Sequence, residues 1–373
     1  MTRIAAVLWS GTLGGAETFT ADLCRAMRDL GAGPGVLFVT RSQPLDQRLD
    51  AAAIPHATLG LSRGREVILR PRALARAVSA LGPDGALVSD GGYLAAALRV
   101  GGYRGPIVAV VHSATVDLGE MTLHERLVGP LKRGTGFWAS DIDVAVSDFV
   151  FRHMRRRLRR GRLVRIYNGV DLDMYAGDPR PADSKAVTIG CAGRLVPGKG
   201  VDVLLRSFAA GMAQQGVRLR IAGDGPSRRM LQSLAAELRL DGAVEFTGWT
   251  FDMPSFWRTC DIAVIPSDGC VESFGMSAVE AMACARPVVV TASGALPELV
   301  DDGVTGFVVP PGNPEALAEA LDSLIGDPEK RRAVGCAARA RCEQRFDIRD
   351  CATSYLDLFH DVLPNTRSRS RLR

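Results

Sequence analysis

The chain has no apolar run approaching the roughly 20 residues that a membrane-spanning helix needs, so no segment is expected to cross a bilayer. Its first apolar run, Ile4 to Trp9, lacks a small-residue cleavage site and leads straight into Gly11-Thr12-Leu13-Gly14-Gly15. It reads as a buried strand rather than a secretion signal. The eight cysteines include no C-x-x-C pair and no Cys/His cluster at zinc spacing. That argues against a zinc site or redox motif and for reduced, mostly buried thiols of a cytoplasmic protein. No internal repeat of fixed short period is present. Nor are aromatic residues interleaved with the basic ones as single-strand binders require, and no nucleic-acid partner is expected.

What is present is a globular composition. The length of 373 residues suits two domains of roughly 150 to 200 residues each. Hydrophobic residues at 47% with 23% charged residues exclude disorder outside the end, and 40 glycines suit many tight strand-to-helix turns. The formal net charge of +5 is uneven, because Arg152 to Arg165 holds eight arginines and Arg367 to Arg373 four more. The first segment is either a solvated basic helix face or a contact for an anionic lipid surface or a phosphorylated acceptor. Each basic residue near such a surface contributes about 1 kcal/mol. The expected location is the cytoplasm, with peripheral membrane association through Arg152–Arg165 as the second reading.

Short Val- and Ile-rich runs alternate with helical patterns along the whole chain. In the first half the expected strands are Ile4–Trp9, Gly35–Val39, Ala86–Ser89, Ile107–Val111, Val144–Ser147 and Val164–Tyr167. Turn formers from Asp178 to Ser184 interrupt the pattern. A second series follows: Val187–Cys191, Val217–Ala222, Val244–Thr247, Ile262–Pro266, Pro287–Thr291 and Gly306–Val309. Helices over Pro314–Ile325, Pro328–Arg345 and Asp347–Val362 end the pattern, and 364–373 should fray. Strand and helix in alternation mean parallel sheets with helices on both faces. Two doubly wound domains are therefore expected, 1–177 and 184–346.

Two segments carry chemistry. Gly193-Arg194-Leu195-Val196-Pro197-Gly198-Lys199-Gly200 lies between a strand and a helix, where backbone amides and a helix N-terminus attract an anion and Arg194 and Lys199 add cations. A phosphate-binding P-loop would need Ser or Thr after the lysine, and Gly200 stands there instead. The second segment places Glu272 in a loop and Glu280 inside the apolar run Met276–Met282, where an ionised carboxylate is costly without a partner or a polar cavity. Paired carboxylates also suit a glycosidase, but the adjoining cations favour carboxylates that orient sugar hydroxyls beside a phosphate.

These segments resemble the retaining glycosyltransferases of family 4. The likeness extends through Gly14-Gly15-Ala16-Glu17, Tyr167-Asn168-Gly169-Val170-Asp171, Gly223-Asp224-Gly225-Pro226, Pro266-Ser267, Glu272-Ser273-Phe274-Gly275, Glu280-Ala281-Met282-Ala283 and Pro287-Val288-Val289. The resemblance implies the GT-B fold, two Rossmann-like domains facing across a cleft. The first would bind the acceptor, with residues 347–373 packing back on it, and the second the nucleotide-sugar donor. Gly193, Arg194 and Lys199 would hold the diphosphate, Glu280 the ribose and Glu272 the sugar, with amides near Phe274, Gly275 and Met276 beside it. Gly248, Trp249, Thr250 and Phe251 would line the base, and Gly14 and Gly15 would admit the phosphates closely. His112 would orient the sugar and help stabilise charge at the anomeric carbon.

The same resemblance implies a uridine-diphosphate donor more often than a guanosine one, an unidentified hydroxyl acceptor, no cofactor and no metal. Leu61–Arg72 and Thr115–Thr135 are the expected acceptor loops. A nucleotide-sugar epimerase and a catalytically silent nucleotide-sugar scaffold are the alternatives. Two features depart from the pattern or mimic another. Cys284-Ala285-Arg286-Pro287 lacks the glycine that usually precedes this proline, and Asp141-Ile142-Asp143 looks like a metal-binding Asp-x-Asp but is read as structural.

Overall fold

The computed structural model describes residues 1–10, 14–40, 44–62, 66–89, 92–112, 139–156, 162–176, 187–269 and 272–363. The chain divides into two compact units, one of residues 1–169 with 348–373 and one of residues 170–347. The division falls at Gly169/Val170, ahead of the turn formers at 178–184, which lie outside the described residues.

The first unit holds a parallel sheet of β1 (Arg3–Leu8), β2 (Gly33–Thr40), β3 (His56–Leu61), β4 (Gly85–Ser89), β5 (Ile107–Val111), β6 (Ile142–Ala145) and β7 (Arg162–Arg165), in the order β3-β2-β1-β4-β5-β6-β7. The second holds β8 (Thr188–Ala192), β9 (Arg218–Ala222), β10 (Val244–Gly248), β11 (Ile262–Ile265), β12 (Val288–Thr291) and β13 (Gly306–Val309), in the order β10-β9-β8-β11-β12-β13. Both are the doubly wound α/β architecture that the alternating pattern predicts.

The central strands read as unbroken apolar runs because parallel strands are covered on both faces. β12, with the sequence VVVT, is buried at every position, as is β4. β3 is absent from the sequence-based expectation for the opposite reason: it is an edge strand exposed at three of its six positions, so no apolar run announces it. β6 begins two residues before the expected start, because Asp143 sits inside it. That carboxyl is buried, accepts a hydrogen bond from the Ser140 hydroxyl at 2.8 Å, and is pushed up to about 6 by burial. Its neighbour Asp141 accepts from the Ile107 amide and from Arg99 Nη2, each at 2.7 Å, so both carboxylates of the Asp-x-Asp serve the sheet.

Two helix starts are fixed by side-chain caps. Asn313 accepts from the Ala316 amide ahead of Pro314, and Asp327 accepts from the Lys330 amide ahead of Pro328. The helix Ile348–Val362 belongs to the first unit, where it packs on the helix Gly15–Asp29 and buries Tyr355 and Phe359 completely. A Cβ on Gly85 would lie 2.8 Å from the Phe359 ring, so this ring fills the space that the glycine leaves over β4. Among the described residues, no helix is long and apolar enough to cross a membrane. Six of the seven described cysteines are buried; Cys336 is exposed.

Candidate functional site

In a doubly wound sheet, ligands bind outside the carboxyl ends of the strands where the order reverses. In the second unit that reversal lies between β8 and β11. The described residues that leave these strands are 193–200 and 266–269 with 272–275, which include the Gly193–Gly200 segment and Glu272.

Backbone contacts lock the loops together. The Gly198 carbonyl accepts from the amides of Asp268 at 3.0 Å and Gly269 at 3.1 Å. Gly200 is left-handed, at φ 66°, and a Cβ there would lie 1.8 Å from the Pro266 carbonyl oxygen. No side chain fits, which accounts structurally for the missing P-loop hydroxyl.

The close approach brings Lys199 to Glu272, 73 positions away in sequence. Lys199 Nζ lies 2.5 Å from Glu272 Oε1, and both side chains are largely withdrawn from solvent, at 21% and 14% exposure. The Ser267 hydroxyl donates to the same Oε1 at 2.6 Å, and the Thr291 hydroxyl at the end of β12 donates to the Ser267 carbonyl at 2.5 Å. The Glu272 carbonyl accepts from the Ala295 amide at 2.8 Å. That last contact depends on Gly294, at φ 59°, where a Cβ would stand 2.0 Å from the Glu272 oxygen.

Glu280 lies in the helix Met276–Ala283 and is 9% exposed. The indole Nε1–H of fully buried Trp257 donates to its Oε2 at 3.3 Å, one of the partners that make burial of this carboxylate tolerable. Gly275 caps the same helix in the left-handed region at φ 107°, and Met276 is its first residue. Phe274 turns into the core, edge-on to Phe346 at 5.9 Å, so only its backbone is left for the site. Asp268, whose amide donates to the Gly198 carbonyl, has a carboxyl held above the usual range by burial and by the nearby Asp202 charge.

Arg194 is exposed on the first loop. A ladder of amides joins its neighbours to the adjacent strand ends: Gly193 donates to Ala222, Leu195 to Asp224 and Gly223 to Gly248, at 3.0, 2.9 and 2.7 Å. Gly193, Arg194 and the 248–251 loop thus share one edge of the sheet. Trp249 and Phe251 present exposed rings there, at 39% and 61% exposure.

In the first unit, strand order reverses between β1 and β4. Gly14 and Gly15 start the helix that follows β1. His112 follows β5, edge-on to Phe19 at 5.7 Å. Its ring keeps some exposure, but Nε2 is enclosed without a hydrogen-bond partner among the described residues. Burial pushes the imidazole down to about 4, so the side chain is neutral at physiological pH and offers a dipole rather than a charge.

Thr115–Thr135 lies outside the described residues, as do 63–65 of the other expected acceptor loop. Of the arginine segment, 157–161 lie outside as well. Arg165 pairs with Asp148 at 2.9 Å and covers the Tyr167 ring, and Arg162 pairs with Asp361 at 2.8 Å. Two of its cations therefore already have carboxylate partners.

Sequence reasoning did not assign Ser267, Thr291 or Trp257 a role. Pro266-Ser267 stood out only as part of a motif, and the other two are buried residues whose partners no local pattern reveals.

Comparison with known proteins gives two family matches. The model described as Glycosyltransferase Family 4 matches residues 13–174, and that described as Glycosyl transferases group 1 matches residues 178–341. A D-inositol 3-phosphate glycosyltransferase of Saccharomonospora viridis is 35% identical over 54% of this chain and 53% of its own length. A GDP-mannose-dependent alpha-(1-6)-phosphatidylinositol monomannoside mannosyltransferase of Mycolicibacterium smegmatis is 33% identical over 53% of this chain and 57% of its own. The chain spans about half the length of the curated relatives it matches. Among solved structures, Anabaena Alr3699/HepE in complex with UDP and glucose aligns with a TM-score of 0.83 at 24% identity, over 96% of this chain and 100% of the other. That likeness is one of fold.

Proposed function

The chain belongs to glycosyltransferase family 4 and has the GT-B fold, and from that premise we propose that it moves a hexosyl group from a nucleoside-diphosphate sugar to a hydroxyl acceptor with retention of configuration. The observation that carries the reading is the pairing of Lys199 with Glu272 at the β8/β11 reversal, a phosphate-binding cation beside a hydroxyl-binding carboxylate. In this reading Arg194, Lys199, the Gly193 loop and the N-terminus of the helix Met276–Ala283 hold the diphosphate. Glu272 takes the sugar hydroxyls, Glu280 the ribose, and the 248–251 loop the base.

The reaction breaks the bond between the anomeric carbon and the diphosphate oxygen and forms one from that carbon to the acceptor oxygen on the same face. The acceptor proton passes to the departing phosphate oxygen. Negative charge grows on the leaving group, where Arg194 and Lys199 stabilise it as it forms. No protein nucleophile is required, and full activity is expected after chelation with EDTA. His112, Gly14 and Gly15 enter by resemblance alone. His112→Ala should lower turnover while leaving diphosphate affinity in place.

A calorimetric panel of UDP, GDP, ADP and their sugar conjugates tests the reading. Uridine is the first base to try on family frequency, and guanosine the second because one relative is named as GDP-mannose-dependent. Binding of one diphosphate, lost in Arg194→Ala, supports the proposal. Binding of none overturns it, binding without turnover favours the silent nucleotide-sugar scaffold, and turnover of a sugar nucleotide without any acceptor points to an epimerase. Inositol phosphates head the acceptor screen, since both relatives' names carry an inositol phosphate group. Co-flotation with anionic vesicles tests contact through Arg152–Arg165.

A further inference from the structure

Glu272 is held more firmly than an ion pair with Lys199 requires. Its Oε1 accepts both from Lys199 Nζ at 2.5 Å and from the Ser267 hydroxyl at 2.6 Å, the short distance of a charge-assisted bond. Ser267 is fully buried, and its own carbonyl is fixed by the hydroxyl of Thr291, which is 2% exposed. Ser267 follows β11 and Thr291 ends β12, neighbouring central strands paired at Ile265 and Val290. The carboxylate is thus tied through two buried hydroxyls to the ends of two paired strands. Both bonds converge on Oε1, which leaves Oε2 as the acceptor not engaged by a described residue.

We propose that Ser267, backed by Thr291, is a positioning residue for Glu272: it keeps one carboxylate oxygen in place so that the other meets a donor-sugar hydroxyl. The assignment rests on the proposed nucleotide-sugar transferase reading. Lys199 alone cannot serve this purpose. A bound phosphate draws on the same ammonium, so the carboxylate would lose part of its restraint when the donor arrives. The Ser267 hydroxyl has one proton to donate, and the phosphate leaves that donor in place. Sites supported by buried hydrogen bonds on strand ends hold the tight geometry that recognition requires.

The test measures, by calorimetry, how much tighter UDP-glucose or GDP-mannose binds than the matching bare diphosphate, in wild type, Ser267→Ala, Glu272→Gln and the double variant. Ser267→Ala should leave diphosphate affinity within about twofold and cut the affinity ratio about tenfold, the size expected for one hydrogen bond to a charged group. In the Glu272→Gln background it should add less than about twofold, because the two act through one carboxylate. Losses that multiply in the double variant overturn the proposal, as does an equal loss of bare diphosphate and conjugate. Thr291→Val preserves shape and carries the same test if Ser267→Ala does not fold: the ratio should fall several-fold, and an unchanged ratio overturns the role of the pair. If wild type binds no diphosphate at all, the transferase reading itself fails; binding with independent losses removes only the role of Ser267.

Discussion

Lys199 Nζ and Glu272 Oε1 lie 2.5 Å apart, so a cation suited to phosphate and a carboxylate suited to sugar neutralise each other. Under the proposed transferase reading, donor binding exchanges partners: phosphate oxygens compete with Glu272 for the ammonium. Glu272→Gln removes the competitor. We expect it to tighten bare diphosphate by about threefold to tenfold, on the order of 1 kcal/mol, while weakening the sugar conjugate relative to it. Titration of both ligands checks this, and weaker diphosphate binding in the variant would count against the exchange.

Gly200→Ala should damage the site more than the fold. The new methyl would meet the Pro266 carbonyl at 1.8 Å in a left-handed backbone, so the loop must retreat and carry Lys199 with it. Strain of roughly 1 to 2 kcal/mol is expected in stability, with a larger loss in diphosphate affinity. Parallel denaturation and binding measurements separate the two.

Ala285→Gly should stabilise the second unit. The Ala285 amide donates to Met282 at 2.9 Å and the Arg286 amide to Ala281 at 3.0 Å, the paired bonds of a Schellman helix end. Its left-handed position, φ 57°, is held by alanine where glycine fits without strain. A gain of about 0.5 to 1 kcal/mol in the urea midpoint series is expected, with donor binding unchanged.

Asp143 makes stability depend on pH. Its folded carboxyl titrates at about 6, above the ordinary value of 3.8, so the native state holds its proton more tightly than the unfolded chain does. Stability should fall as pH rises from about 4 to 6 and stay lower above that. Asp143→Asn should recover up to about 3 kcal/mol at neutral pH and little at pH 4. Denaturant curves at both values settle the sign.

The sequence reveals whatever a local run or turn can encode. β5 and β13 match the expected bounds because apolar residues with turns on either side allow only one placement. β3 and the start of β6 do not, since exposure at an edge and a buried Asp143 break the run. The loops 193–200 and 266–275 are legible as candidate site segments, but their union is not. The Lys199–Glu272 pair depends on Gly200 admitting a carbonyl of another strand's loop, and the support from Ser267 and Thr291 spans two strands. Trp257 likewise reaches Glu280 from 23 positions away.

The helix Ile348–Val362 has a bearing on how the protein is made. Because it seals the core over β4 with Phe359 yet follows residues 170–347 in the chain, the first unit is discontinuous and the second is not. During synthesis the second unit can complete its core while the first still exposes the surface around Gly85 and the helix Gly15–Asp29. Assembly order thus inverts chain order, and the amino-terminal unit is the one that waits for its last piece and needs protection meanwhile.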